Sequence, residues 1–287
     1  MSSHEPRATR RVALGVSYRG SAYTGWQSQA AGGTVQDALE AALCQFATEP
    51  IKVVCAGRTD TGVHGINQVV HLDTPLQRQA HSWVRGTNAY LPPDIAVQWA
   101  AEVPAHFHAR KSALGRRYAY ILLESPVRPA LEVGQVGWVF RALDVQAMRE
   151  AAKVLVGEHD FSSFRSSQCQ SPTPVKALRE ITIRACGGRT APARTGLLQP
   201  GADGVYWRFD FEGQAFLHHM IRNIMGCLIA VGTGARPVAW MQEVLNARSR
   251  DAAAPTFSPA GLYFLGPRYD PELQLPADLP AFHWLPQ

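Results

Sequence analysis

The sequence predicts an α+β protein of two related units that share a broad, largely antiparallel sheet. Three observations carry this prediction. The chain has 287 residues, a length suited to about two domains. Hydrophobic residues make up 46% and charged residues 18%, which supplies packed cores and excludes a chain disordered throughout. Strand and helix patterns mix without a βαβ rhythm, and both halves repeat one order of strand, helix, strands, helix.

The elements follow in order along the chain. Residues 1–11 are polar and basic and read as a flexible tail. Val12–Tyr18 is a short apolar strand closed by Arg19-Gly20. Thr34 is placed to cap a helix bearing Val35, Leu39, Ala42, Leu43 and Phe46 at helical spacing, with Asp37 in its first turn. Ile51–Ala56 is β-branched and apolar and predicts a strand. Gln68–Asp73 and Ile95–Val103 predict two more, with a helix over about His81–Ala89 between them. Residues 12–112 thus form a first α+β domain. In the second, 113–270, Arg116–Glu124 alternates as a strand does. Asp144 caps a helix carrying Val145, Met148, Ala151, Ala152 and Leu155 and stopped by Gly157. Leu178–Ala185 and Val205–Glu212 read as strands. A helix is expected from about Phe216 to Val231. Pro237 then opens another that reaches about Arg248, and Leu262–Leu265 is a last strand. Residues 187–204 lack periodicity and read as an inserted surface loop, and 271–287 as a C-terminal tail.

Composition narrows the function classes. The excess of 28 Lys and Arg over 23 Asp and Glu gives +5, a mild basic balance compatible with a polyanionic partner. The N-terminal stretch MSSHEPRATRRVAL has no apolar segment of the secretory kind, and the longest helix-like apolar run, Ile224–Val231, is too short to span a bilayer. No membrane partner is expected. Five scattered cysteines with no C-x-x-C pair predict reduced, mostly core thiols in a cytoplasmic protein.

The chemistry concentrates in three segments. Gly57-Arg58-Thr59-Asp60-Thr61-Gly62-Val63-His64-Gly65 follows an apolar strand and places one carboxylate among an arginine, two hydroxyls and a histidine. It is neither a P-loop nor a dinucleotide turn. On residues alone it reads first as a polar hairpin, with Asp60 bonding its own backbone, and second as a catalytic loop. In Phe216–Ala230, His218, Arg222 and Gly226 stack at i, i+4 and i+8 if the whole segment is helical. Arg222 then sits in an apolar setting and needs an anion or several carbonyls, and Asp60 is the favoured anion. The third segment, His106–Lys111 with Arg116–Tyr120, alternates cations and aromatics. On a strand Tyr118 and Tyr120 share one face, where a tyrosine either packs in the core or stacks on an unpaired base. His106 and His108 lack the neighbours of a metal motif, and no metal site is expected.

Taken together, the residues resemble the family of tRNA pseudouridine synthase A, enzymes that modify the anticodon arm. The matching blocks are Tyr18-Arg19-Gly20 with Gly25-Trp26-Gln27, Thr34-Val35-Gln36 with Leu39-Glu40, and GRTDTGVHG at 57–65. They continue with Asn67-Gln68-Val69, Arg116–Tyr120, and His159-Asp160-Phe161 with Phe164. The last are Phe216-Leu217 with Met220-Ile221-Arg222 and Gly226, and Ala260-Gly261-Leu262-Tyr263. They run in family order over about residues 12–270. Valine is common in the family where Ile221 stands, and neither the 187–204 insert nor the tail has a counterpart in the core pattern.

The resemblance implies the pseudouridine synthase fold, two pseudo-symmetric α/β-sandwich domains joining their sheets across a central basic cleft. It implies a cofactor-free homodimer acting on uridine at positions 38, 39 and 40 of the tRNA anticodon stem-loop. Residue by residue, it makes Asp60 the catalytic aspartate and Tyr118 the tyrosine that stacks on the target base. Arg222 becomes the basic residue paired with the aspartate, Arg58 the arginine that helps flip and hold the nucleotide, and Leu262 the apolar residue near the uracil. A cation beside Asp60 would favour its ionised form. Two rivals remain: a non-catalytic RNA-binding protein, and a small-molecule hydrolase using Asp60 with His64, for which no G-x-S-x-G or equivalent is present.

Overall fold

The computed structural model describes residues 9–186 and 204–276. The chain divides into two compact units, one ending at Leu114 and rejoined from Phe264, the other Gly115–Tyr263. The insert expected over 187–204 lies, but for Gly204, outside the described residues, as do 1–8 and 277–287.

The first unit is a sheet covered on both faces. β1 (Arg10–Tyr18) leads to α1 (Val35–Ala47), β2 (Val54–Cys55), β3 (His64–Thr74), α2 (Ala80–Asn88) and β4 (Ile95–Val103). β1 lies antiparallel between β4 and β3, with Leu14 opposite Ala100 on one side and Val70 on the other. Alternation along β1 sends Val12, Leu14 and Val16 into a core with Leu39, Leu43, Trp26 and Trp83, beneath the two helices. Ala13 joins Val69, Trp99, Phe107 and Ala109 in a second core on the other face, which Tyr269, Leu273 and Leu275 cover. Both faces are buried, so β1 reads as a continuous apolar run rather than an alternating one.

α1 starts as the sequence predicts. Thr34 is extended, and its Oγ1 accepts from the Asp37 N–H at 3.2 Å. The strand expected over Ile51–Ala56 shrinks to two residues. Side chains of α1 take the backbone groups a longer ladder would need: Glu40 accepts from the Val53 N–H (3.1 Å) and the Cys44 thiol from the Ile51 N–H (3.1 Å). β3 instead starts four residues early, at His64, so the end of the GRTDTGVHG segment is strand rather than loop.

The second unit holds β5 (Gly115–Glu124), β6 (Gly137–Val139), α3 (Val145–Lys153), β7 (Gly157–Asp160), β8 (Val175–Cys186), β9 (Val205–Gly213), α4 (Met220–Gly232) and α5 (Trp240–Ala247). Its strand order is β5-β9-β8-β7, antiparallel throughout, with β6 running parallel beside β5. Asp144 caps α3, accepting from the Ala147 N–H at 3.0 Å, and Met148, Ala151 and Ala152 form its buried stripe. β10 (Leu262–Arg268) begins in this unit and continues into the first. Of the five cysteines only Cys227 is fully buried; the rest are half-buried, which corrects the expectation of core thiols.

Candidate active site

The loop bearing Asp60 is held by the segment just after β1. The Trp26 N–H donates to the Thr59 carbonyl (3.0 Å), and the Tyr18 hydroxyl lies 2.8 Å from Thr59 Oγ1. Gly25 has φ +99°, and a Cβ there would stand 2.9 Å from the Thr59 carbonyl oxygen and 3.3 Å from the Asp60 carbonyl carbon. Only glycine fits that backbone and that approach. Gly20 lies closer still to Val63, where a Cβ would meet the carbonyl oxygen at 2.0 Å. The carbonyls of Gly25 and Trp26 accept from the Val35 and Gln36 N–H groups at the start of α1. The blocks at 18–27, 34–36 and 57–65 are therefore one assembly, in which β1 and α1 fix the loop between them.

Within the loop, the Val63 N–H closes a turn onto the Asp60 carbonyl at 3.1 Å, with Gly62 at φ +79°. At its base the Gln68 amide bridges both backbone groups of Gly57, accepting from its N–H and donating to its carbonyl. Thr59 is buried, Asp60 half-buried and Arg58 exposed. The loop thus carries a half-buried carboxylate and an exposed guanidinium on an anchored backbone. His64 is buried, and its Nδ1 accepts from the Gly20 N–H at 3.1 Å. That bond gives His64 a structural role and counts against the hydrolase pairing with Asp60.

The second unit carries the other predicted site residues. Tyr118 lies on β5 opposite Phe211, nearly buried, with its ring edge-to-face against Phe216 at 5.1 Å. Tyr120 on the same strand is wholly buried, and its hydroxyl donates to the Ser258 carbonyl, so this tyrosine is core. Arg222 is half-buried in the first turn of α4, where its Nε donates to the Phe257 carbonyl at 2.9 Å. The Phe257 N–H returns to the Arg222 carbonyl. Leu262 is buried at the start of β10. One stretch of chain, 255–262, thus bonds to Arg222 through Phe257 and leads into β10 at Leu262.

Two expectations are corrected here. α4 begins at Met220, not Phe216, because His219 adopts a left-handed conformation at φ +63°. His218 therefore precedes the helix, and the stack of His218, Arg222 and Gly226 on one face does not form. The guanidinium of Arg222 is also less enclosed than an apolar helix implied, and a backbone carbonyl meets part of its need.

Asn223, which carries no motif, is fully buried. Its Nδ2 donates to the Phe164 carbonyl, and its Oδ1 accepts from Thr256 Oγ1 (2.6 Å) and from Arg250 (3.3 Å). This network ties α4 to the His159–Phe164 block and to the 255–262 stretch. A lone amide inside an apolar helical run was the available signal.

Comparison with known proteins covers Arg58, Asp60, Arg222 and Leu262, while Tyr118 falls between the two ranges matched by the family model. The family model described as tRNA pseudouridine synthase matches residues 15–110 and 151–270. The chain belongs to the tRNA pseudouridine synthase family. It is 65% identical over 280 residues to the tRNA pseudouridine synthase A of Paracidovorax citrulli, covering 96% of this chain and all of that one. It is 63% identical over 276 residues to the protein of that name from Methylibium petroleiphilum, again over 96% of this chain and the whole of the relative. A solved structure, the archaeal box H/ACA Nop10–Cbf5 complex, aligns over 84% of this chain and 59% of that one, at 12% identity and a TM-score of 0.30.

Proposed function

We propose that this protein isomerises uridine to pseudouridine at positions 38, 39 and 40 of the tRNA anticodon stem-loop, as a cytoplasmic homodimer. Pseudouridine synthases are isomerases. The bond between N1 and C1′ breaks, C5 bonds to C1′, the C5 proton leaves and N1 gains one. Uridine supplies every atom and electron of the product, so the proposal calls for no cofactor.

The observation that carries the proposal is the Asp60 loop. Its carboxylate stands on a turn whose backbone is pinned from two sides, in a chain of the tRNA pseudouridine synthase family. Such pinning holds the group in place before the substrate arrives, as positioning for catalysis requires. In this proposal Asp60 acts at C1′ of the target uridine, as nucleophile or as the base that opens a glycal route. Arg58, exposed on the same loop, holds the flipped nucleotide. Tyr118 stacks on the detached uracil while it turns, Arg222 acts as the aspartate's basic partner, and Leu262 supplies apolar packing for the ring. The partner is tRNA, with no metal and no membrane in the scheme. Among the described residues, no helix is long and apolar enough to cross a membrane.

The test is pseudouridine mapping by carbodiimide labelling, on tRNA from cells lacking the protein. Labelling at 38–40 is expected to vanish and to return when the gene is restored. Labelling that persists without the protein would overturn the assignment, and a protein that binds tRNA without restoring the label would support the RNA-binding rival.

A further inference from the structure

We propose that the turn over residues 104–112 is a rigid phosphate grip, in which His108 and His71 are positioning residues that aim Arg110 and Lys111 at the tRNA backbone beside the Asp60 loop. The proposal rests on the tRNA-substrate reading above and deepens it.

The turn lies wholly in the first unit, and side chains from elsewhere in that unit take four of its backbone groups. One Arg11 nitrogen donates to both the Ala105 and Phe107 carbonyls, at 2.7 and 2.6 Å. Arg11 is itself clamped by both oxygens of Asp73, at 2.8 and 2.7 Å. The Ala109 N–H donates to His71 Nδ1 (3.2 Å), and the Ala109 carbonyl accepts from the Tyr269 hydroxyl (2.6 Å). His108 Nδ1 accepts from the N–H groups of both Arg110 and Lys111, at 3.2 and 3.3 Å. Ser112 closes the ring, its hydroxyl accepting from the His108 N–H and its own N–H donating to the His108 carbonyl.

An exposed turn normally leaves such groups to water. Here side chains hold them, His71 from a buried position, and the exposed residues of the turn include Arg110 and Lys111. Both imidazoles must present a bare Nδ1, and burial, the largest influence on each, favours that neutral form. A leucine would pack at position 71 without the cost of burying an imidazole. What His71 adds is an acceptor for a turn N–H.

Place and charge identify the ligand. His71, which accepts from the Ala109 N–H, pairs with Val54 on β2, and the Asp60 loop follows that short strand directly, so β2 links the turn to the loop. Two cations on a fixed backbone next to a nucleotide-handling loop suit the phosphates flanking the target nucleotide. Phosphate contacts set position and carry no sequence information, which fits an enzyme serving several adjacent sites.

The experiment measures tRNA affinity, its salt dependence, and the division of activity between KM and kcat. Arg110→Gln is expected to weaken binding about tenfold and to lower the salt slope by about one. His108→Ala should weaken tRNA binding several-fold, and raise KM with little change in kcat. His108→Asn, whose Oδ1 can accept the same N–H groups, should recover most of the loss. In an Arg110→Gln, Lys111→Gln background, His108→Ala should add nothing. An unchanged affinity in Arg110→Gln would overturn the proposal, as would a full additional loss from His108→Ala in the doubly substituted background. Both readouts are of binding, so they stand even if the wild-type protein forms no pseudouridine, and that separate result would overturn the function proposed above.

Discussion

Acidification should weaken the fold through His71, by an amount the structure sets. The side chain is 5% exposed on β3, and its pKa is lowered from 6.5 to about 4. Burial is the main cause; Arg11 and His108 push the same way, against Asp73 and a hydrogen bond to the Val54 backbone. The unfolded chain protonates this imidazole below about 6.5, whereas the folded protein resists until about 4. In that window the unfolded state binds the extra proton, so stability falls as pH falls and the loss levels off below the folded value. Between pH 7.5 and pH 5.0 the linkage integral comes to about 2 kcal/mol. Urea unfolding at the two pH values, on the wild type and on His71→Gln, isolates the contribution. Glutamine does not titrate and can still accept a backbone N–H. The wild type should lose about 2 kcal/mol more than the variant over this interval. Equal losses in the two proteins would refute the reasoning, because the imidazole would then be free to protonate in the folded state.

Three further outcomes follow from the same geometry. A Cβ at Gly65 would lie 2.3 Å from the Tyr18 ring, so Gly65→Ala should push Tyr18 off Thr59; thermal unfolding should show a cost of about 1–3 kcal/mol, with kcat reduced by displacement of the Asp60 loop. Tyr118→Phe keeps the ring against Phe216 and should retain measurable turnover at saturating tRNA, whereas Tyr118→Ala should lose most of it; equal rates in the two variants would remove the stacking role. Thr34→Ala deletes the α1 cap and should cost about 1 kcal/mol in urea unfolding, because the Asp37 N–H loses its acceptor.

Local signals in the sequence were legible where neighbouring residues decide the structure. Thr34 and Asp144 cap the helices they announce, and β4 spans Ile95–Val103 as its apolar pattern predicts. The alternation of Arg116–Glu124 put Tyr118 and Tyr120 on one face, but it could not say that Tyr120 is core while Tyr118 borders Phe216. That distinction comes from Ser258, far along the chain. β2 is short for a similar reason, since Glu40 and Cys44 on α1 capture the backbone that periodicity assigned to a strand. The start of α4 was illegible because nothing in FLHHMIRN marks His219 as left-handed. The locked turn at 104–112 was invisible as well. Its partners, from Arg11 to Tyr269, stand up to 160 positions away from the groups they bind. Asp60 was recognisable from its motif, but the clamp of Tyr18, Gly20, Gly25 and Trp26 that holds it emerges only from the fold.

Purified Asp60→Asn tests the central claim most directly. The substitution keeps the shape of a side chain on an anchored turn and removes its negative charge. Assayed with tRNA carrying uridine at 38, 39 or 40, the variant should bind with an affinity close to that of the wild type and form no pseudouridine over many wild-type turnover times. Pseudouridine formed by Asp60→Asn at a rate near the wild type would contradict the account.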